Sequence, residues 1–270
     1  MNPTESDPFG GVSGVVEASK LEQSEERLKV AILGKPKSGK SWFAATAPPP
    51  VLVYDFDDRK ESLAGKPGVH AKTLRDTMRA PTVVKAIEED LSNFQYRKLK
   101  GQAIPKSFVF DTVTNLIPAI KHDYLQYNPK DGRAIRLGGG MSIQIGTSYD
   151  LINTTVGFLN YIITEFSALG NVILVFHERD EKDKAESTPK ETKYTGLITV
   201  DPQYVANILT VFNEVFRITV DFQGRFSVRT KPNQDVIAST TLLVDADEPP
   251  NLLDMIAKHR QRKLEQASKN

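Results

Sequence analysis

Eight consecutive residues, Gly34-Lys35-Pro36-Lys37-Ser38-Gly39-Lys40-Ser41, carry the most legible chemistry in the chain. They satisfy the spacing G-x-x-x-x-G-K-[ST] in full, which average composition yields on the order of once per hundred chains of this length. The glycines let backbone amides turn inward around phosphate oxygens, where a side chain would block the approach. A helix starting behind the second glycine adds partial positive charge at the same point. Lys40 then reaches the β- and γ-phosphates, the Ser41 hydroxyl ligates Mg²⁺, and Trp42 is the next residue of the phosphate-binding stretch. The competing reading is a Gly-rich turn with a solvated lysine. The expectation is a site for a nucleoside triphosphate, ATP with Mg²⁺.

Such a site needs carboxylates at neighbouring strand ends. Ser107-Phe108-Val109-Phe110-Asp111-Thr112 sets an acid at a strand tip, suited to hold Mg²⁺, usually through its water. Its bland alternative is a helix N-cap. A second acidic strand end, Val51-Leu52-Val53-Tyr54-Asp55-Phe56-Asp57-Asp58, offers a carboxylate to orient the attacking water. Alternation puts Asp55 and Asp57 on one side of the strand, facing the nucleotide or starting a turn, and Asp57 is the preferred catalytic group.

The elements that must position these groups alternate between strand and helix. Short runs rich in Val, Ile and Phe at 28–33, 51–56, 107–111, 171–176, 215–220, 225–230 and 236–244 predict strands. Helical spacing occurs at 40–46, 82–93, 148–169, 204–213 and 252–263. The longest has Leu151, Ile152, Val156, Leu159, Ile162, Ile163 and Phe166 on one stripe. This order predicts an α/β fold with right-handed crossovers and a mainly parallel sheet flanked by helices. Gln223-Gly224 predicts a two-residue hairpin turn, so antiparallel strands end the sheet. Residues 128–147 and 179–196 fit neither pattern and are expected to be long, functional or disordered loops.

Composition narrows the setting. The 270 residues carry a net charge of +1 and contain no cysteine, which excludes disulfides, thiol catalysis and cysteine-bound zinc. No apolar run reaches membrane-spanning length, and the polar start lacks signal-peptide order, so the expected location is the cytoplasm. Residues 1–30 hold six acids against three bases, and residues 251–270 hold five bases against two acids. Opposite ends of this kind suit head-to-tail contacts, a basic nucleic-acid tail, or two solvated termini. The expected division is a flexible arm at 1–27, a core at 28–245 and a basic C-terminal helix or tail at 246–270.

The P-loop, the turn Ala47-Pro48-Pro49-Pro50, the acid-bearing strands and the element His177-Glu178-Arg179 together resemble the RecA-like ATPases. Within that family the chain looks like the short, core-only bacteriophage proteins of recombination and single-strand annealing. The resemblance covers roughly residues 28–245 and implies a RecA-like P-loop NTPase core. It implies that Asp57 stands where the family normally has a glutamate that positions water, one methylene longer. It also implies that His177 senses the γ-phosphate, and that Arg229 and Lys231 reach a neighbouring subunit's nucleotide as a basic-x-basic pair. The family's DNA-binding loops correspond to 128–147 and 179–196, which makes Arg133, Arg136, Lys190, Lys193 and Tyr194 candidate DNA contacts. The implied partners are single-stranded DNA, further copies of the chain in a ring or filament, and other replication or recombination proteins such as a single-strand-binding protein. The leading expectation is a DNA-dependent ATPase acting in phage recombination or annealing. A nucleotide-gated binding module with slow hydrolysis and a small-molecule kinase are the alternatives.

Overall fold

Strand β1 (Lys29–Gly34) is the centre of a nine-stranded sheet, and all but its first residue are buried. This is the pattern of a strand covered on both faces. The computed structural model describes residues 27–77, 80–127, 133–137, 140–144, 149–180, 195–197, 202–232 and 237–269. Among them α1 (Lys40–Ala44) follows β1 and leads to β2 (Val51–Asp55) and β3 (Val69–Thr73). Then come α2 (Val83–Leu99), β4 (Ser107–Asp111) and α3 (Val113–Tyr127). A separate antiparallel hairpin, β5 (Arg133–Leu137) and β6 (Gly140–Gln144), precedes α4 (Tyr149–Ser167) and β7 (Asn171–Asp180). The chain ends with β8 (Thr195–Leu197), α5 (Pro202–Leu209), β9 (Glu214–Val220), β10 (Phe226–Arg229), β11 (Asp247–Glu248) and α6 (Leu252–Ala267).

The sheet runs β11-β10-β9-β1-β7-β4-β2-β3, with β8 pairing to the far end of β7. Strands β9, β1, β7, β4, β2 and β3 are parallel, while β10, β11 and β8 are antiparallel. The expected mainly parallel α/β sheet with antiparallel strands at its C-terminal end is present. Alternation divides the core between the two faces. Ala31, Leu33, Phe108, Phe110, Val172, Leu174 and Phe176 meet α2 to α5. Val30, Ile32, Val109, Ile173, Val175 and Phe216 meet α1 and α6. Leu159, Ile162, Ile163 and Phe166 of the expected α4 stripe are buried. Among the described residues no helix is long and apolar enough to cross a membrane.

Several local expectations need correction. Residues 239–244 of the expected strand 236–244 form no strand; Ser239 makes only an isolated bridge to Val215. The reason is that side chains take the backbone donors a ladder would use. Buried Glu214 accepts the Thr240 and Thr241 hydroxyls and the Thr241 N–H, while His259 Nδ1 accepts the Leu243 N–H at 2.9 Å. The expected two-residue hairpin has a three-residue loop instead. Asp221 N–H bonds to the Arg225 carbonyl and Gly224 N–H to that of Asp221, with Gly224 at φ +77°. The stretch 128–147 contains the β5–β6 hairpin. Helix α3 was not expected, because Pro118 lies inside it. Edge strand β3 is half-polar and exposed, which masks its period.

Helix α6 is part of the core layer. Leu252 and Met255 are buried, and the Leu252 N–H donates to Thr46 Oγ1 at 2.8 Å. Its basic residues are partly neutralised at home: Lys258 pairs with Asp245 and Glu248, and Arg262 with Asp245.

Candidate functional site

The parallel strands end in a row, and register fixes what meets there. Gly34 of β1 lies beside His177 of β7, Asp111 of β4 beside Val175 of β7, and Asp55 of β2 beside Asp111. Strand β7 thus stands between the glycine-rich loop and the acid-bearing β4.

The loop between β1 and α1 is built to its glycines. A methyl group at Gly34 would lie 2.8 Å from Ser38 Oγ and 3.0 Å from the Ile218 carbonyl oxygen. Gly39 has φ +82°, a left-handed conformation that glycine adopts without strain. Lys35, Pro36 and Lys37 are exposed on the outside of the turn, and Ser38 is buried within it. Lys40 is only 4% exposed, and its ammonium donates to the Lys35 carbonyl at 2.5 Å and to Ser38 Oγ at 3.4 Å. Burial pulls its pKa down to about 8, partly offset by Asp111, Glu178 and Asp57. Trp42 is half-exposed, with the Lys66 ammonium 3.8 Å from its ring centre.

Asp111 is buried at the tip of β4, and Ser41 donates a hydrogen bond to it. Burial raises its pKa to about 6; the Ser41 bond opposes the shift and Asp57 and Asp55 add to it. Its Oδ1 is buried with no hydrogen-bond partner among the described residues. A carboxylate oxygen left open beside a serine hydroxyl fits Mg²⁺, which takes one or two protein oxygens and fills its octahedron with water and phosphate. Ser41 and Asp111 are the residues that would hold it.

The two acids of the second strand end have different surroundings. Asp55 accepts the N–H groups of Asp57 at 3.0 Å and Arg59 at 2.9 Å, so its side chain holds the turn. Asp57 instead meets side chains. Its Oδ1 accepts from Thr112 Oγ1 at 3.2 Å and Asn115 Nδ2 at 2.5 Å, and its Oδ2 lies 3.9 Å from His177 Nε2. Burial and the nearby Lys40 charge push the His177 pKa down. The structure therefore brings Lys40, Ser41, Asp57, Asp111 and His177 to one mouth.

Other candidates lie apart. Arg229 and Lys231 alternate with fully buried Val228 and Thr230, so both lie on the outward face of their strand end. Arg229 pairs bidentately with Asp247, both bonds at 3.0 Å, and Lys231 is exposed. Arg133 and Arg136 lie on β5. Lys190, Lys193 and Tyr194 fall outside the described residues.

Sequence reading missed three participants. Thr112 and Asn115 hold Asp57, and their only signal was proximity to the acidic strand tip. Glu178, 4% exposed, bonds to Arg217 Nε at 2.9 Å, linking the two strands that flank β1. A glutamate following His177 on an apolar strand, with an arginine two strands away, was the available clue.

No curated protein matches the chain. A family model described as an AAA domain matches residues 26–242. That match covers most of the chain and coincides with the sheet, its helices and the phosphate-binding mouth, and by it the chain belongs to the AAA domain family of P-loop ATPase-like proteins.

Proposed function

We propose that the chain hydrolyses ATP with Mg²⁺, that it does so as an oligomer on single-stranded DNA, and that this drives recombination or strand annealing. The observation that carries the hydrolytic part is the pair Asp57–His177 at 3.9 Å, beside the P-loop lysine. Asp57 Oδ1 is occupied by two donors, which leaves Oδ2 to accept a proton from water. The shorter aspartate suffices because Thr112 and Asn115 fix its direction. His177, whose pKa burial and the Lys40 charge push down, offers its Nε2 as a hydrogen-bonding group at the γ-phosphate end. Lys40 opposes the charge that develops on the phosphate oxygens. Bound Mg²⁺ would neutralise charge on the β- and γ-phosphates.

Oligomerisation is supported by the outward direction of Arg229 and Lys231. The Arg229–Asp247 pair is 30% and 49% exposed, and such pairs contribute roughly 0–1 kcal/mol, so a neighbour's triphosphate can displace Asp247. DNA would be met by the segments bearing Arg133, Arg136, Lys190 and Lys193.

The test is ATP turnover with and without single-stranded DNA, alongside light scattering for assembly. Stimulation of about tenfold or more together with assembly is expected, with Lys40→Ala inactive. Turnover indifferent to DNA would reject the DNA-dependent reading. It would favour a nucleotide-gated module, for which aspartate in place of glutamate at position 57 is the supporting feature. Phosphate transfer to a metabolite would reject both.

A further inference from the structure

The groups that meet the γ-phosphate end are on β7, β4 and the segment after β2, all on one side of β1. A triphosphate threaded through the loop with that polarity carries its nucleoside out on the other side, toward β9 and β10. There, on the face of the sheet that α1 covers, β10 begins with Phe226. Its neighbour two along, Val228, is buried in the α1–α6 core cluster, and alternation puts Phe226 on the same face. The ring touches the loop: a methyl group at Gly39 would sit 3.1 and 3.2 Å from two of its carbons. Yet Phe226 remains 46% exposed, and its cross-strand partner Val220 is 43% exposed on the same face.

An aromatic side chain packed against the backbone of a phosphate-binding turn, with about half its surface bare, is a stacking platform. Trp42, the other exposed aromatic at the loop, has Lys66 over its ring and so offers less. We infer that Phe226, extended by Val220, is the surface on which the base of the bound nucleotide stacks. This rests on the reading of Gly34 to Ser41 as a nucleotide site and identifies the other end of it. Stacking reads a π-face and not a base edge, so the platform accepts purine nucleotides and binds ATP and GTP alike, with pyrimidines weaker for their smaller face.

Calorimetric titration of the full chain in Mg²⁺ with ATP, GTP, CTP and inorganic tripolyphosphate tests this. Phe226→Leu keeps an apolar side chain against Gly39 but removes the π-face, and Phe226→Tyr restores it. Phe226→Leu should weaken ATP and GTP about tenfold or more, leave tripolyphosphate within twofold, and leave the thermal midpoint of the free protein nearly unchanged. Phe226→Tyr should bind ATP like the parent. The platform is overturned if Phe226→Leu binds ATP as tightly as the parent, or if it loses ATP and tripolyphosphate equally. In the second case the ring only shapes the loop. In either case the parent's own binding of ATP leaves the nucleotide site standing. A parent that binds neither ATP nor tripolyphosphate overturns the site and the platform together.

Discussion

Asp111 concentrates the tension between folding and function. It is 8% exposed, carries one oxygen without a partner among the described residues and sits near Asp55 and Asp57, so its charged form is disfavoured. A folded pKa of about 6 against an ordinary 3.8 means that the folded chain holds more protons than the unfolded chain between those values. Its contribution to stability therefore falls as pH rises through that window and is least favourable above pH 6. At neutral pH the cost is on the order of 2–3 kcal/mol. Asp111→Asn should thus stabilise the metal-free protein at pH 7 by about that amount, with the gain shrinking toward zero near pH 4, while hydrolysis is lost. Urea titrations of both proteins at pH 4.5, 5.5 and 7 measure the gap; an equal gap at all three would show that this carboxyl does not titrate there. Lys40 is a second buried charge in the same mouth, held below its ordinary range by the same desolvation.

At the scale of elements, α3 is the least obvious and among the most consequential. It begins immediately after Asp111-Thr112 with no residue to spare, and Pro118 sits inside it. Burial of Val113, Leu116, Ile117 and Ile120 against the sheet outweighs the missing backbone donor. Because α3 starts there, its first turn delivers Asn115 to Asp57 and Thr114 Oγ1 to the His177 N–H at 3.3 Å. Asn115 is exposed, so removing it costs the fold little, but Asp57 then loses the closer of its two fixed donors. Asn115→Ala should lower kcat about tenfold with KM for Mg-ATP within twofold, a split that steady-state kinetics resolves. An unchanged kcat would mean that Thr112 alone orients Asp57, or that Asp57 takes no part. Glu178 and Arg217 act on a second pair of elements, tying β7 to β9 around the P-loop strand. Their side chains are 3% and 15% exposed, and losing one partner of such a pair costs about 3–5 kcal/mol.

For the molecule as a whole, the question is whether one chain holds a complete site. The mouth gathers acids, one lysine and a histidine, while Arg229 and Lys231 face outward on the far side of β9. If a neighbour supplies these cations, Arg229→Ala and Lys40→Ala should each be inactive alone and should regain part of the parent rate when mixed. In mixed assemblies some interfaces pair an intact loop with an intact arginine. Turnover measured across mixing ratios checks this, and a mixture as inactive as its components would reject the shared site. The C-terminal helix bears on the same question. Although rich in lysine and arginine, α6 packs on the α1 face and commits Lys258 and Arg262 to Asp245 and Glu248, which reduces the charge left for nucleic acid.

The P-loop was legible because its chemistry is local: eight adjacent residues, a strand before and a helix after. The central strands were legible for a similar reason, since burial on both faces demands unbroken apolar runs such as Phe108-Val109-Phe110. What the sequence could not decide was contact between distant segments. Alternation would set Asp55 and Asp57 on one side of a strand, but β2 ends at Asp55, and only the fold assigns one to the turn and the other to Thr112, Asn115 and His177. Residues 239–244 look like a strand until Glu214 and His259 take their donors. Phe226 reads as an ordinary strand residue until the sheet lays its ring on Gly39. Local spacing determines which group can do the chemistry; tertiary packing determines which groups stand beside it, because desolvation and hydrogen bonding act through space and not along the chain.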